Sequence, residues 1–164
     1  MRRTRTLTAA VGALAAAALF AAPAQASTSQ ATTSQAAAGD HYGPIKSSCS
    51  GTKVATWKLK KPGTSTVVGR TELWYSSANG GQNCVITYNT VAGSIPTGAQ
   101  LWVDDDHNRK HSAGDRTSYD YGKYASYAGA SYRNSTNGKC VKVKGEVTNG
   151  RWTAYVLTGW RNCG

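Results

Sequence analysis

Residues 104–115 (DDDHNRKHSAGD) hold the densest set of metal-ligating and acid–base side chains in the chain. Asp104, Asp106, Asn108 and Asp115 fall at positions 1, 3, 5 and 12 of that stretch. Calcium takes about six to eight hard oxygens, and such spacing folds them round one point. The match weakens at position 6, where Arg109 replaces the glycine that a sharp turn favours, and at position 12, where Asp115 is shorter than a bidentate Glu. Arg109 and Lys110 also bring positive charge beside the ion. The plainer reading is a solvated connecting loop whose acids and bases pair locally, with a calcium site as the alternative. His107 and His111 lie four residues apart in the same stretch. A zinc protease would need Glu at 108, where Asn108 stands. General acid–base chemistry near pH 7 would use these histidines with a cationic stabiliser, and Arg70 and Glu72 are the remaining raw material. No spacing in the chain brings the four together, and no G-x-S-x-G elbow is present. A secreted hydrolase or nuclease working through His107 and His111 is the alternative function, and no residue is assigned a catalytic role.

A second chemistry is electrostatic. Lys53, Lys58, Lys60 and Lys61 crowd one short stretch, and Lys139, Lys142 and Lys144 another. Lysines interleaved with Trp and Tyr suit an anionic polymer of a cell wall or spore surface, with a nucleic acid as the less favoured partner. The plainer use is to keep a β surface soluble and guard its edges. Tyr119, Tyr121, Tyr124, Tyr127 and Tyr132 offer flat rings with a polar tip, suited to a carbohydrate or a wet surface, although Tyr also serves as core filler. Tyr124 and Tyr127 join Lys53, Lys58, Lys60 and Lys61 as the surface-binding candidates.

These residues need a scaffold, and the composition narrows it. Arg2, Arg3 and Arg5 precede an apolar run that ends at Ala24-Gln25-Ala26, the layout of a secretory signal peptide over 1–26. That run is too short and alanine-rich to make a membrane span. Its removal takes the net charge from +11 to +8 and leaves no Phe. Residues 27–39 lack charge, aromatics and large aliphatics, so they read as a disordered arm. One domain over 40–164 follows. Cysteines 49, 84, 140 and 163 form an even set in an exported chain, which means two disulfides. The pairing Cys49–Cys84 with Cys140–Cys163 is preferred among three because each bridge then encloses a hairpin region. Each should stabilise by about 3 kcal/mol.

The periodicity is that of strands, with no long helical pattern. Asn149-Gly150 is a hairpin signal, and it pairs Val147 with Trp152, Gly145 with Ala154 and Val143 with Val156. Asn79-Gly80 marks a second hairpin, pairing Leu73 with Ile86, Thr71 with Tyr88 and Trp74 with Val85. Large residues on both of its faces predict cover on both sides. Further strands are expected at 53–60, 99–104 and within 124–133, with turns at Pro62-Gly63 and from Pro96 to Gly98. About seven short antiparallel strands make an all-β sandwich or small barrel.

Three segments carry a resemblance. They are Glu72-Leu73-Trp74-Tyr75 with Asn83-Cys84-Val85-Ile86-Thr87, then the 122–129 stretch GKYASYAG, then Lys139-Cys140-Val141 with the terminal Asn162-Cys163-Gly164. Over about residues 49–164 the chain resembles the spore-associated protein A family, small secreted proteins of actinomycetes. The resemblance implies export, association with a spore or cell surface, and no catalytic chemistry, cofactor or catalytic residue. The basic 53–61 stretch and the 104–115 stretch depart from the family pattern. The expectation is a secreted, non-catalytic surface protein that adheres to anionic envelope polymers.

Overall fold

The computed structural model describes residues 39–164. The leader at 1–26 and the arm, apart from Gly39, lie outside the described residues.

The described chain is all-β and forms two antiparallel sheets facing each other. One sheet has the order β1 (Asp40–Tyr42), β6 (Arg116–Tyr124), β5 (Ile95–Val103), β8 (Val141–Asn149), β9 (Trp152–Leu157). The other has the order β2 (Thr52–Lys60), β3 (Val67–Ser76), β4 (Gln82–Asn89), β7 (Tyr127–Asn134). The result is a sandwich and not a closed barrel. It has nine described strands where about seven are predicted. The two additional strands are β1 and β6. β6 escapes a reading based on apolar alternation because its buried positions include Ser118 and Asp120. These are small polar side chains at sites where a strand usually shows Val or Ile.

Alternate residues of both sheets point into one core. Leu73 and Val85 from one sheet meet Leu101, Val103, Val141 and Val143 from the other. A hydroxyl pair, Thr71 with Thr87 at 3.1 Å, lies buried among them. It fits because the strand opposite presents Gly145, where a methyl would collide with the Thr71 hydroxyl. Tyr124 belongs to this core at 4% exposure.

Both hairpins form, each with a register different from the one predicted. Around Gly150, Val147 pairs with Ala154 and Asn149 with Trp152. The slide is two residues, so the apolar face is kept. It places Gly150, with φ of 37°, at the first central position of the turn, where a positive angle is wanted. Between β3 and β4 the slip is one residue: Leu73 pairs with Val85, Thr71 with Thr87 and Trp74 with Cys84. A one-residue slip exchanges faces. Here the turn spans 77–81 and includes a 3₁₀ segment, Ala78–Gly80, with positive φ at Asn79, Gly80 and Gly81. The longer turn sends Val85 inward and leaves Cys84 and Ile86 on the outer side. The prediction of cover on both sides holds for β4. Cys49, Trp74, Tyr88, Tyr127 and Tyr132 close over its outward Cys84 and Ile86. From Pro96 to Gly98 the chain is strand, not turn. Pro96 pairs only with Lys123 of β6, because the pairing of β5 with β8 begins at Thr97, so its missing N–H costs the ladder little.

The disulfides are Cys49–Cys84 and Cys140–Cys163, as preferred. The first fastens the 45–50 segment across the outer face of β4. The second ties the C-terminal tail to the start of β8, where Arg161 also bridges Val141. The N-terminal segment serves both sheets. β1 pairs with β6, and a few residues later Ile45 bridges Ser131 of β7.

Candidate functional site

The sandwich turns the outer face of β2, β3 and β4 into a surface of cations and aromatic rings. β3 presents Arg70, Glu72 and Trp74 at alternate positions on its outer side, across from Lys58, Thr56 and Lys53 of β2 and from Tyr88, Ile86 and Cys84 of β4. Glu72 lies at the centre with its side chain 5% exposed. It accepts hydrogen bonds from Arg70 Nε at 2.9 Å, Trp74 Nε1 at 3.1 Å and Lys53 Nζ at 3.4 Å. Burial works against the Glu72 charge, but the bonds from Arg70 and Trp74 and the nearby Lys53 outweigh it and hold the carboxyl below its usual range. The anion thus acts as a clamp that orients its neighbours. Arg70 lies 4.1 Å from the centre of the Tyr88 ring, Lys53 5.7 Å from Trp74, and Lys46 4.8 Å from Tyr132. Tyr127 packs against Tyr88 with ring centres 6.0 Å apart.

Among the surface-binding candidates, Lys53, Lys58 and Tyr127 lie on the outer face of this sheet, the lysines on β2 and Tyr127 on β7. Lys60 is exposed at the end of β2, and Lys61 begins the following turn, where its N–H donates to Thr66 O. Tyr124 is not a surface residue. It fills the core and donates to Asp120 Oδ1 at 2.5 Å, and burial together with that carboxylate pushes the phenol well above its usual range. The tyrosine series divides: Tyr119 and Tyr121 stand on the opposite sheet, whereas Tyr127 and Tyr132 join the cationic face. Lys46, Arg70, Trp74 and Tyr88 are the residues that sequence reasoning misses there. The alternation Arg70–Glu72–Trp74 was the available signal, and the one-residue register error concealed it by placing Val85 and Thr87, not Cys84 and Ile86, beside them.

The 104–115 stretch is a loop between β5 and β6, so its histidines do not share a helical face. Carboxylate oxygens of Asp104, Asp106 and Asp115 lie within 4.8 Å of one another. Arg109 takes φ of 57°, a left-handed angle of the kind that favours glycine at that position of a calcium loop. The oxygens also organise the loop. Asp104 accepts from the N–H groups of Asn108 and Arg109, Asp115 from those of Asp105 and Ser112, and Asp106 from Asn108 and the Ser112 hydroxyl. Three carboxylates supply only part of a calcium shell of about six to eight oxygens, and the loop closes on its own N–H donors. Asp105 points away from the cluster. Its carboxylate holds Arg116 and Lys139 at 2.7 and 2.6 Å. Burial opposes its charge, but those two partners prevail and keep its acid well below the ordinary carboxylate range. His107 is exposed, with φ of 58°. His111 Nδ1 stands 3.7 Å from Asp115 Oδ2, and its ring meets Trp102 edge-on. The structure places Arg70 and Glu72 in the four-stranded sheet and the histidines in a loop of the other, so this acid–base set is not assembled on one strand pair or one loop.

Comparison with known proteins finds no match to a family model, a curated protein or a solved structure.

Proposed function

We propose that this is an exported, non-catalytic protein of a cell or spore surface that adheres to anionic envelope polymers through the outer face of β2, β3 and β4. The observation that carries the reading is the charge pattern of that face. Lys53 and Arg70 bond to the buried Glu72, the one acid of that face, and Lys58 opposite Arg70 and Lys46 over Tyr132 add two further cations. Long-range attraction would collect the protein onto a polyanion, and the neighbouring rings would add short-range contact. Two disulfides, and no helix among the described residues long and apolar enough to cross a membrane, are compatible with an extracellular location. The resemblance to spore-associated protein A favours the same setting.

The test is sedimentation of the mature protein with purified cell-wall or spore-coat fragments. Binding at low salt and release by about 0.5 M salt, where charges farther apart than roughly 4 Å are screened, is the expected result. Retention at that salt would remove the electrostatic basis. Turnover of RNA, DNA or glycan that is lost in His107→Ala or His111→Ala would favour the hydrolase reading instead.

A further inference from the structure

The outer face of the five-stranded sheet differs in chemistry from the cationic face. Pairing aligns two rows across all five strands. One row runs Tyr42, Tyr119, Gln100, Lys144, Leu157, and the next runs Asp40, Tyr121, Gly98, Glu146, Tyr155. Tyr42, Tyr121 and Tyr155 are 56%, 39% and 65% exposed. The three rings stand in adjoining rows of one sheet face, and clustered exposure of large apolar groups marks an interaction site. Tyr42 and Tyr119 stack with ring centres 6.1 Å apart.

The rows enclose a depression. Gly98 forms its floor, and Gln100, Tyr119, Tyr121, Lys144 and Glu146 line it. Tyr121 and Glu146 lean in over Gly98, which only a residue without a side chain allows: a methyl there would stand 2.8 Å from Tyr121 Cδ2 and 3.2 Å from Glu146 Cγ and would push these two lining side chains away. The charges at its rim cancel locally. Lys144 and Glu146 form an ion pair at 2.9 Å, and Asp40 accepts the Tyr119 hydroxyl at 3.4 Å. Lys144, the cation that lines the depression, is thus already paired with an acid. What remains is flat ring surface beside amide, ammonium, carboxylate and phenol groups that donate and accept hydrogen bonds.

We propose that this depression binds a pyranose ring of a neutral glycan chain. Sugar rings have an apolar C–H face and an equatorial rim of hydroxyls. The Tyr119 and Tyr121 rings match the first, and Gln100, Lys144 and Glu146 match the second. The site is independent of the cationic face and lies on the opposite sheet.

The test is amide chemical-shift mapping of the mature protein against cellohexaose, chitohexaose and maltohexaose at up to about 5 mM, enough for a site of millimolar Kd. At least one sugar should give saturable shifts at residues 98, 100, 119, 121, 144 and 146, unchanged at about 0.5 M salt. Tyr121→Ala and Gly98→Ala should each weaken binding about tenfold or more, while Lys58→Glu with Arg70→Glu should leave it intact. If a variant misfolds, its amide spectrum shows this directly, and the other variant carries the comparison. No response to any of the three sugars overturns the proposal. So does binding abolished by salt. Shifts at these amides that follow protein concentration without sugar would make the face a self-association surface, and the proposal would fall.

Discussion

At the scale of single residues, carboxylates held by cationic partners set the local geometry, and each has a measurable consequence. Glu72 gathers Arg70, Lys53 and the Trp74 indole. Glu72→Gln keeps the shape but removes the charge, so the cations lose their orienting partner. An unfolding free energy lower by about 1–3 kcal/mol at neutral pH is expected from denaturant titration. Asp105 gives a pH-dependent case. Its acid is held below its unfolded value by Arg116 and Lys139, so its stabilisation is complete above the unfolded pKa of about 3.9. That stabilisation disappears as pH falls through the lower folded value. Asp105→Asn should cost about 2 kcal/mol at pH 7, and the gap to wild type should narrow steadily below about pH 4. Thermal melts at a series of pH values read this directly. A gap that widened in acid would reverse the assigned sign.

At the scale of elements, alternation shows which residues can face the core, whereas turn geometry decides which neighbours they meet. In β8, Val141, Val143 and Val147 declare the buried side, and a two-residue slide preserves it. Contacts from Val147 to Ala154 rather than to Trp152 in a nuclear Overhauser spectrum check the observed register. In β3 and β4 both faces carry large residues, so hydrophobicity cannot choose between registers. The five-residue turn chooses, and its positive-φ run is only partly announced by Asn79-Gly80. β6 is obscured because its buried side is Ser118, Asp120 and Tyr124, a polar set made possible by Asp120 accepting the Tyr124 hydroxyl and the Gly129 N–H. The cysteine pairing is readable because each bridge spans a local hairpin. The Cys49–Cys84 bridge secures the strap whose Lys46 exchanges backbone bonds with Ala130, and whose Pro44 O receives the Tyr132 N–H. In Cys49→Ser with Cys84→Ala, stability should fall by about 3 kcal/mol. Hydrogen exchange at Ala130 and Tyr132 should accelerate more than at Leu101, which lies in the opposite sheet.

For the whole molecule, the distribution of charge is more informative than its total. Four of the eight acids, Asp104, Asp105, Asp106 and Asp115, lie in or beside one loop, and Asp120 is buried. The outer face of β2, β3 and β4 is consequently left basic. Net charge points to an anionic partner, but only the fold separates a cationic sheet face from a ring-rich one on the other side. Tyr119 and Tyr127 look equivalent in the sequence and stand on opposite surfaces. The most direct test of the cationic face is amide chemical-shift mapping of the mature protein against poly(glycerol phosphate), a simple anionic wall polymer. The proposed function requires salt-sensitive shifts concentrated at Lys53, Lys58, Arg70 and Tyr88, lost in Lys58→Glu with Arg70→Glu. Shifts confined to the five-stranded sheet or the 104–115 loop, or no shifts at low salt, would contradict it.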